Sequence, residues 1–106
     1  MEIEFVWYGR LRDAVGEKSL TREVTPGATV GDALSALADE YDDLGPLLFN
    51  SRGELRPNVN VLVDEENVRL GSGLDTSLSA GDTVALAPGL SGGRMVSRDS
   101  EPEGAA

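Results

Sequence analysis

A single helix signal, flanked on both sides by strand signals, constrains this chain more than any other feature. Pro26-Gly27 marks a turn, and Thr29 follows as a residue able to cap a helix by accepting a backbone N–H bond. Asp32 sits three residues later, where the acid of a capping box belongs. Behind that cap Val30, Leu34, Leu37, Ala38 and Tyr41 recur at helical spacing. The spacing predicts a helix over about residues 30–41 with one face packed on a sheet. Ahead of it, residues 2–8 alternate, with Ile3, Phe5 and Trp7 on one face and Glu2, Glu4, Val6 and Tyr8 on the other. That period of two reads as a half-buried strand. Gly9 and Arg10 break it, and a short irregular or helical piece is expected from Leu11 to Gly16. A weaker strand runs from about Glu17 to Thr25, with Leu20, Arg22 and Val24 sharing a face. The two strands form a hairpin with a long connection.

Beyond the helix, Leu44 to Phe49 is an apolar connection interrupted by Gly45-Pro46, and Asn50-Ser51-Arg52-Gly53 is a turn cluster. Val59, Val61 and Val63 alternate with Asn58, Asn60 and Leu62, giving a third strand from Asn58 to Asp64. Asp64-Glu65-Glu66-Asn67 turns the chain, and Val68 to Leu70 is expected to return as a short strand. Leu78 belongs to a structured connection before the Ala80-Gly81-Asp82 turn, and Thr83 to Ala87 is the last strand, with Val84 and Leu86 inward. Two hairpins around one helix define an α+β domain with a mixed sheet of four to five strands packed on one main helix. A β-grasp (ubiquitin-like) roll fits this order, although order alone also admits other small α+β folds.

Composition narrows the chemistry. The 106 residues allow one compact domain, expected over residues 1–88 and followed by a tail, 89–93, and an extension, 94–106. The chain has no Cys and no His, so it lacks a thiol nucleophile, the commonest general base and the commonest zinc ligand. A net charge of −10 argues against nucleic acid and against an anionic membrane surface, both of which call for clustered cations. The acids are spread along the whole chain, which fits a solvated surface in a salty cytoplasm better than a single steering face. Asp39, Glu40, Asp42 and Asp43 gather at the end of the main helix but lack the ligand spacing of a calcium loop; they read as a solvated acidic end rather than a metal site. With no membrane-length apolar run and no signal peptide at Met1-Glu2-Ile3-Glu4, a soluble, cytoplasmic monomer is expected.

The last strand leads into Pro88-Gly89-Leu90-Ser91-Gly92-Gly93. Three glycines within residues 89–93 hold neither helix nor strand well, so an extended, mobile stretch is expected. As a phosphate loop it fits poorly, because no Lys and no helix start follow the glycines. A plain flexible exit from the domain is one reading. The other is a thin tail able to thread a narrow channel, because a Gly-Gly end lacks the Cβ atoms that would hold another protein's active site away from the terminal carbonyl.

At this point the residues resemble a known family. The strand-strand-helix-strand order, the helix start Ala28-Thr29-Val30-Gly31-Asp32-Ala33-Leu34 and the strand Asn58-Val59-Asn60-Val61 are similar to those of the ubiquitin-like sulfur carriers. So is Leu78-Ser79-Ala80-Gly81-Asp82-Thr83-Val84, followed by a Pro-containing stretch and Gly-Gly. That group includes the molybdopterin synthase small subunit, the thiazole-synthesis sulfur carrier and the small archaeal modifier proteins of halophiles, whose acidic composition this chain shares. The resemblance covers residues 1–93. It implies a carrier rather than an enzyme, with no cofactor of its own. A partner activating enzyme would use ATP and Mg²⁺ to adenylate the terminal glycine carboxylate. The acyl-adenylate would then become a thiocarboxylate for a sulfur-accepting biosynthetic enzyme, or pass to a lysine amine of a target protein as an isopeptide bond. By position Gly93 would carry the activated carbonyl, Gly92 would give the slim approach, and Pro88, Gly89, Leu90 and Ser91 would line the partner's channel.

The chain departs from that pattern twice. Pro88-Gly89 stands where the family usually has two prolines, and Arg94 to Ala106 follow Gly93. The extension is rich in Ser, Glu, Pro and small residues without apolar periodicity, and reads as disordered. An internal Gly93 has no free carboxylate, so the expectation is a precursor that a processing protease cuts after Gly93. Two alternatives stand beside it: a dedicated small subunit of molybdopterin synthase, and a ubiquitin-like binding module that is never conjugated. Lys18, the sole lysine, could accept a second modifier, although a solvated lysine at a strand start is the simpler reading.

Overall fold

The computed structural model describes residues 1–88. Strand β1 (Glu2–Trp7) is followed by helix α1 (Gly9–Val15) and strand β2 (Ser19–Glu23). The main helix α2 (Val30–Glu40) and a one-turn helix α3 (Gly45–Leu48) come next, then strands β3 (Val59–Val63), β4 (Glu66–Asn67) and β5 (Thr83–Pro88). The sheet has the order β2-β1-β5-β3-β4. β1 and β5 run parallel at its centre, and the remaining pairs are antiparallel. This is the mixed five-stranded sheet on one main helix that the β-grasp order demands.

The alternation read from β1 sets the core. Ile3, Phe5 and Trp7 are buried, and the same face of the sheet contributes Val84 and Leu86 from β5 and Val59 and Val61 from β3. Helix α2 covers that face with Val30, Ala33, Leu34 and Leu37. Ala38 and Tyr41, expected on the same stripe, are half-buried at its margin: Ala38 lies against Gly45 of α3, and Tyr41 caps the helix beyond its last residue. The predicted capping box is present in full: Asp32 N–H donates to Thr29 Oγ1 at 3.2 Å, and Thr29 N–H to Asp32 Oδ2 at 3.1 Å. Phe5 and Trp7 stack with ring centroids 6.2 Å apart, and the buried Trp7 Nε1–H has no acceptor.

Several expected elements change. The piece after Gly9 is a regular helix, closed by Gly16 in the left-handed region (φ 87°). The apolar connection 44–49 contains helix α3, which Pro46 starts without penalty because an N-terminal N–H has no helical partner anyway. Val68–Leu70 is a 3-10 turn rather than a strand. The return strand is Glu66–Asn67, earlier in the chain, because Asp64 and Glu65 both take positive φ (50° and 75°) and close a two-residue hairpin. Asn67 then ends the strand by accepting the Arg69 N–H through its side chain at 2.9 Å. At the other edge β2 is shorter than the stretch from Glu17 to Thr25, although backbone bonds from Trp7 N–H to Lys18 O and from Val24 N–H to Met1 O flank it.

Candidate functional site

The tail expected to carry the chemistry, Gly89, Leu90, Ser91, Gly92 and Gly93, lies outside the described residues, as does the extension 94–106. Its root does not. Pro88 ends β5, the strand held between β1 and β3, and pairs with Val59. β5 is paired with β1 as far as Leu86 and with β3 as far as Pro88, so the root of the tail is a fixed point in the sheet.

Two features shape that point. Gly9 (φ +58°) passes so close to the proline that a Cβ built on it would stand 2.7 Å from Pro88 Cγ and 3.1 Å from Cδ. The turn out of β1 is thus seated against the tail root, and Tyr8 N–H bonds to Leu86 O at 3.0 Å just before it. On the helix side a cleft of about 220 Å³ opens beside Pro88, lined by Arg10, Leu11, Pro46, Arg56, Asn58 and Val59 among others. Arg56 is fixed there by its Nε–H bond to Pro46 O at 2.6 Å. Arg69 braces the same loop, donating to Arg56 O and to Val59 O at 2.5 and 2.9 Å.

On the other face of the sheet a shallow groove of about 830 Å³ reaches the same proline. Its centre is apolar, built from Val6, Leu62, Ala85 and Ala87, with Tyr8 half exposed at one end and Asp64 and Glu65 at the other. Outward positions on a solvated strand would be polar, and these are not. The sequence signal was available in Val6, Leu62, Ala85 and Ala87, which occupy the outward positions of three strands. Gly9, Arg10 and Arg56 carried no such signal: Gly9-Arg10 reads along the chain only as a strand break.

The remaining titratable groups lie away from the root. Arg22 of β2 donates to Glu40 at the end of α2 at 2.6 Å and to the Tyr41 hydroxyl at 3.0 Å. The hydrogen bond from Arg22 holds the Glu40 carboxyl below its usual range and raises the guanidinium in return. One acid of the cluster at the end of α2 is therefore an inter-element tie. Among the described residues no three acids gather as a metal site. At the far end of β5, Asp82 accepts the Ser79 N–H at 2.8 Å, which pulls its pKa down; burial and the neighbouring Asp64 carboxylate outweigh that bond and raise it. Lys18 is exposed immediately before β2. No helix of the described residues is long and apolar enough to cross a membrane.

A mixed sheet with parallel central strands, one helix across it and a C-terminal strand leading into Gly-Gly defines a ubiquitin-like β-grasp protein. The chain belongs to the ThiS family, whose model matches residues 7–93 and so extends through Gly92-Gly93. It is 41% identical over 93 residues to small archaeal modifier protein 3 of Haloferax volcanii, covering 88% of this chain and all of that one. It is 35% identical over 80 residues to the sulfur carrier protein CysO of Mycobacterium tuberculosis, covering 74% of this chain and 83% of the relative. The crystal structure of small archaeal modifier protein 1 from Haloferax volcanii superposes with a TM-score of 0.76 at 34% identity, over 88% of this chain and 100% of that one.

Proposed function

We propose that this protein is a ubiquitin-like modifier, a sulfur carrier or both, working through the carboxylate of Gly93 once residues 94–106 are removed. The observation that carries the reading is the reach of the family match, which runs from Trp7, the last residue of β1, through Gly93 and leaves out the following thirteen residues. The similarity to a modifier protein and to a sulfur carrier supports both uses of one end.

The chemistry follows from what the chain lacks. A carboxylate is a poor electrophile until it gains a leaving group, and a chain without Cys or His has neither the usual nucleophile nor the usual base to supply one. An adenylating enzyme, using ATP and Mg²⁺, provides it: a Gly93 carboxylate oxygen attacks the α-phosphorus of ATP and expels pyrophosphate. A lysine amine, or hydrosulfide in the sulfur-carrier use, then attacks the acyl carbon and loses a proton, and AMP leaves. The chain's own contribution is to present the end. β5 fixes the origin of the tail, and the apolar outer face around Val6, Leu62 and Ala85 gives the enzyme a surface to dock on beside it. In this reading the protein is a substrate of other enzymes and not a catalyst, works in the cytoplasm, and depends on a processing protease for its free end.

Intact-mass measurement of the protein recovered from its own cells tests this. The expected species ends at Gly93, as the carboxylate, as the thiocarboxylate with sulfur in place of one oxygen, or joined to a target lysine. Recovery of the uncut 106-residue chain alone, with and without ATP in the extract, overturns the proposal.

A further inference from the structure

The cleft beside Pro88 stands out by charge. The chain carries 19 acids against 9 basic residues, and acids line the grooves elsewhere: Glu23, Asp32 and Glu40 beside α2, Asp64 and Glu65 on the outer face. The cleft at the tail root has Arg10 and Arg56 and no carboxylate. The acid-free zone continues from Pro46 and Arg56 over Phe49 and Asn50 in an adjoining shallow groove. Arg10 is exposed and, among the described residues, has no hydrogen-bond acceptor or ion-pair partner. In a molecule with so many acids, an unpaired arginine at the point where the working segment leaves the domain is a cation available to a partner.

Chain length indicates which part of a partner it meets. Gly93 lies five residues beyond Pro88, so a tail extended into a channel carries its end up to about 17 Å from the cleft. Arg10 and Arg56 are then too far away to touch the phosphates of an adenylate formed on Gly93. They sit where the mouth of the channel closes around the tail root. We propose that this cleft is a docking surface for a carboxylate-bearing rim around the channel of the adenylating enzyme. The rim would be attracted to this acid-free, basic cleft on a chain whose net charge of −10 repels acidic surfaces elsewhere. This inference rests on the reading of Gly93 as the activated end and adds the partner's charge and the residues that read it.

The test uses the mature form recovered from its own cells, with wild type, Arg10→Glu, Arg10→Lys and Arg12→Glu compared. Arg12 lies on the same helix and outside the cleft lining, so it controls for a general change in net charge. ATP–pyrophosphate exchange by the adenylating enzyme from the same cells is measured against carrier concentration and ionic strength. Arg10→Glu is expected to raise the half-saturating concentration about fivefold at low salt, with the maximal rate unchanged. Arg10→Lys and Arg12→Glu are expected to stay near wild type. Added salt should weaken wild type and leave Arg10→Glu nearly level, a difference that partial unfolding cannot imitate. If Arg10→Glu and Arg12→Glu behave alike, or wild type shows no salt dependence, the docking surface is wrong while the activated Gly93 stands. If wild type supports no exchange at all, both fall.

Discussion

Gly9 is held between β1 and the tail root for a steric reason that its place in the sequence conceals. Its φ of +58° would cost an L-residue about 1–2 kcal/mol, and its Cβ would meet the Pro88 ring at 2.7 Å. Gly9→Ala should therefore destabilise the domain by about 2 kcal/mol or more in urea unfolding. Adding Pro88→Ala removes the ring atoms and should recover about 1 kcal/mol of that loss, leaving the dihedral cost; an additive double mutant would show that the close contact carries no energy. Asp82 makes a second prediction at the same scale. Its folded-state pKa is raised, so the native state is penalised above that raised value, and the penalty disappears as pH falls below the unfolded value. Asp82→Asn keeps an oxygen for the Ser79 N–H and removes the charge facing Asp64. It should be more stable than wild type at pH 7, and the difference should shrink toward pH 4 in denaturant unfolding measured at both.

At the scale of elements, the stretch that was easiest to read was also the best anchored. The Thr29–Asp32 box satisfies two helix-end N–H groups, and Thr29→Ala should cost about 1 kcal/mol in the same unfolding assay. A loss well below that would mean solvent replaces the cap. β1, α2 and β5 were legible because each carries one clean period, of 2 or 3.6 residues, over most of its length. The return strand was not. A two-residue hairpin of this kind is ordinarily announced by Asn-Gly or Asp-Gly, and here Asp64-Glu65 takes both positive φ values. Pairing with β3 and the Asp64 Oδ1 bond from Thr83 N–H hold the turn instead, so the sequence placed the strand too late. Helix α3, only four residues long, is below the length at which periodicity can register.

For the whole molecule, the sequence predicted the α+β class, the mixed sheet and the family, because those depend on the order and period of elements. What lies around the tail root was not legible. Arg10 and Arg56 are 46 positions apart along the chain, and Gly9 and Pro88 come from opposite ends of the described domain. Only the parallel pairing of β1 with β5 brings Gly9 to Pro88, and only the α3 loop carries Pro46 and Arg56 to the same place. The apolar outer face is an intermediate case. Its residues were visible as outward-facing apolar positions, but their joining into one groove needed the strand order β1-β5-β3.

By itself the sequence determined which residues are buried in β1, how α2 begins, and that a Gly-Gly pair follows the last strand, since each is a local pattern with a local physical cause. The tertiary structure alone decided that the strand before this pair is the central one of the sheet, its last residue beside a glycine with no room for a Cβ and a cleft that is basic in an acidic protein. Those are contacts between distant segments, and they exist only once the sheet has set β5 between β1 and β3.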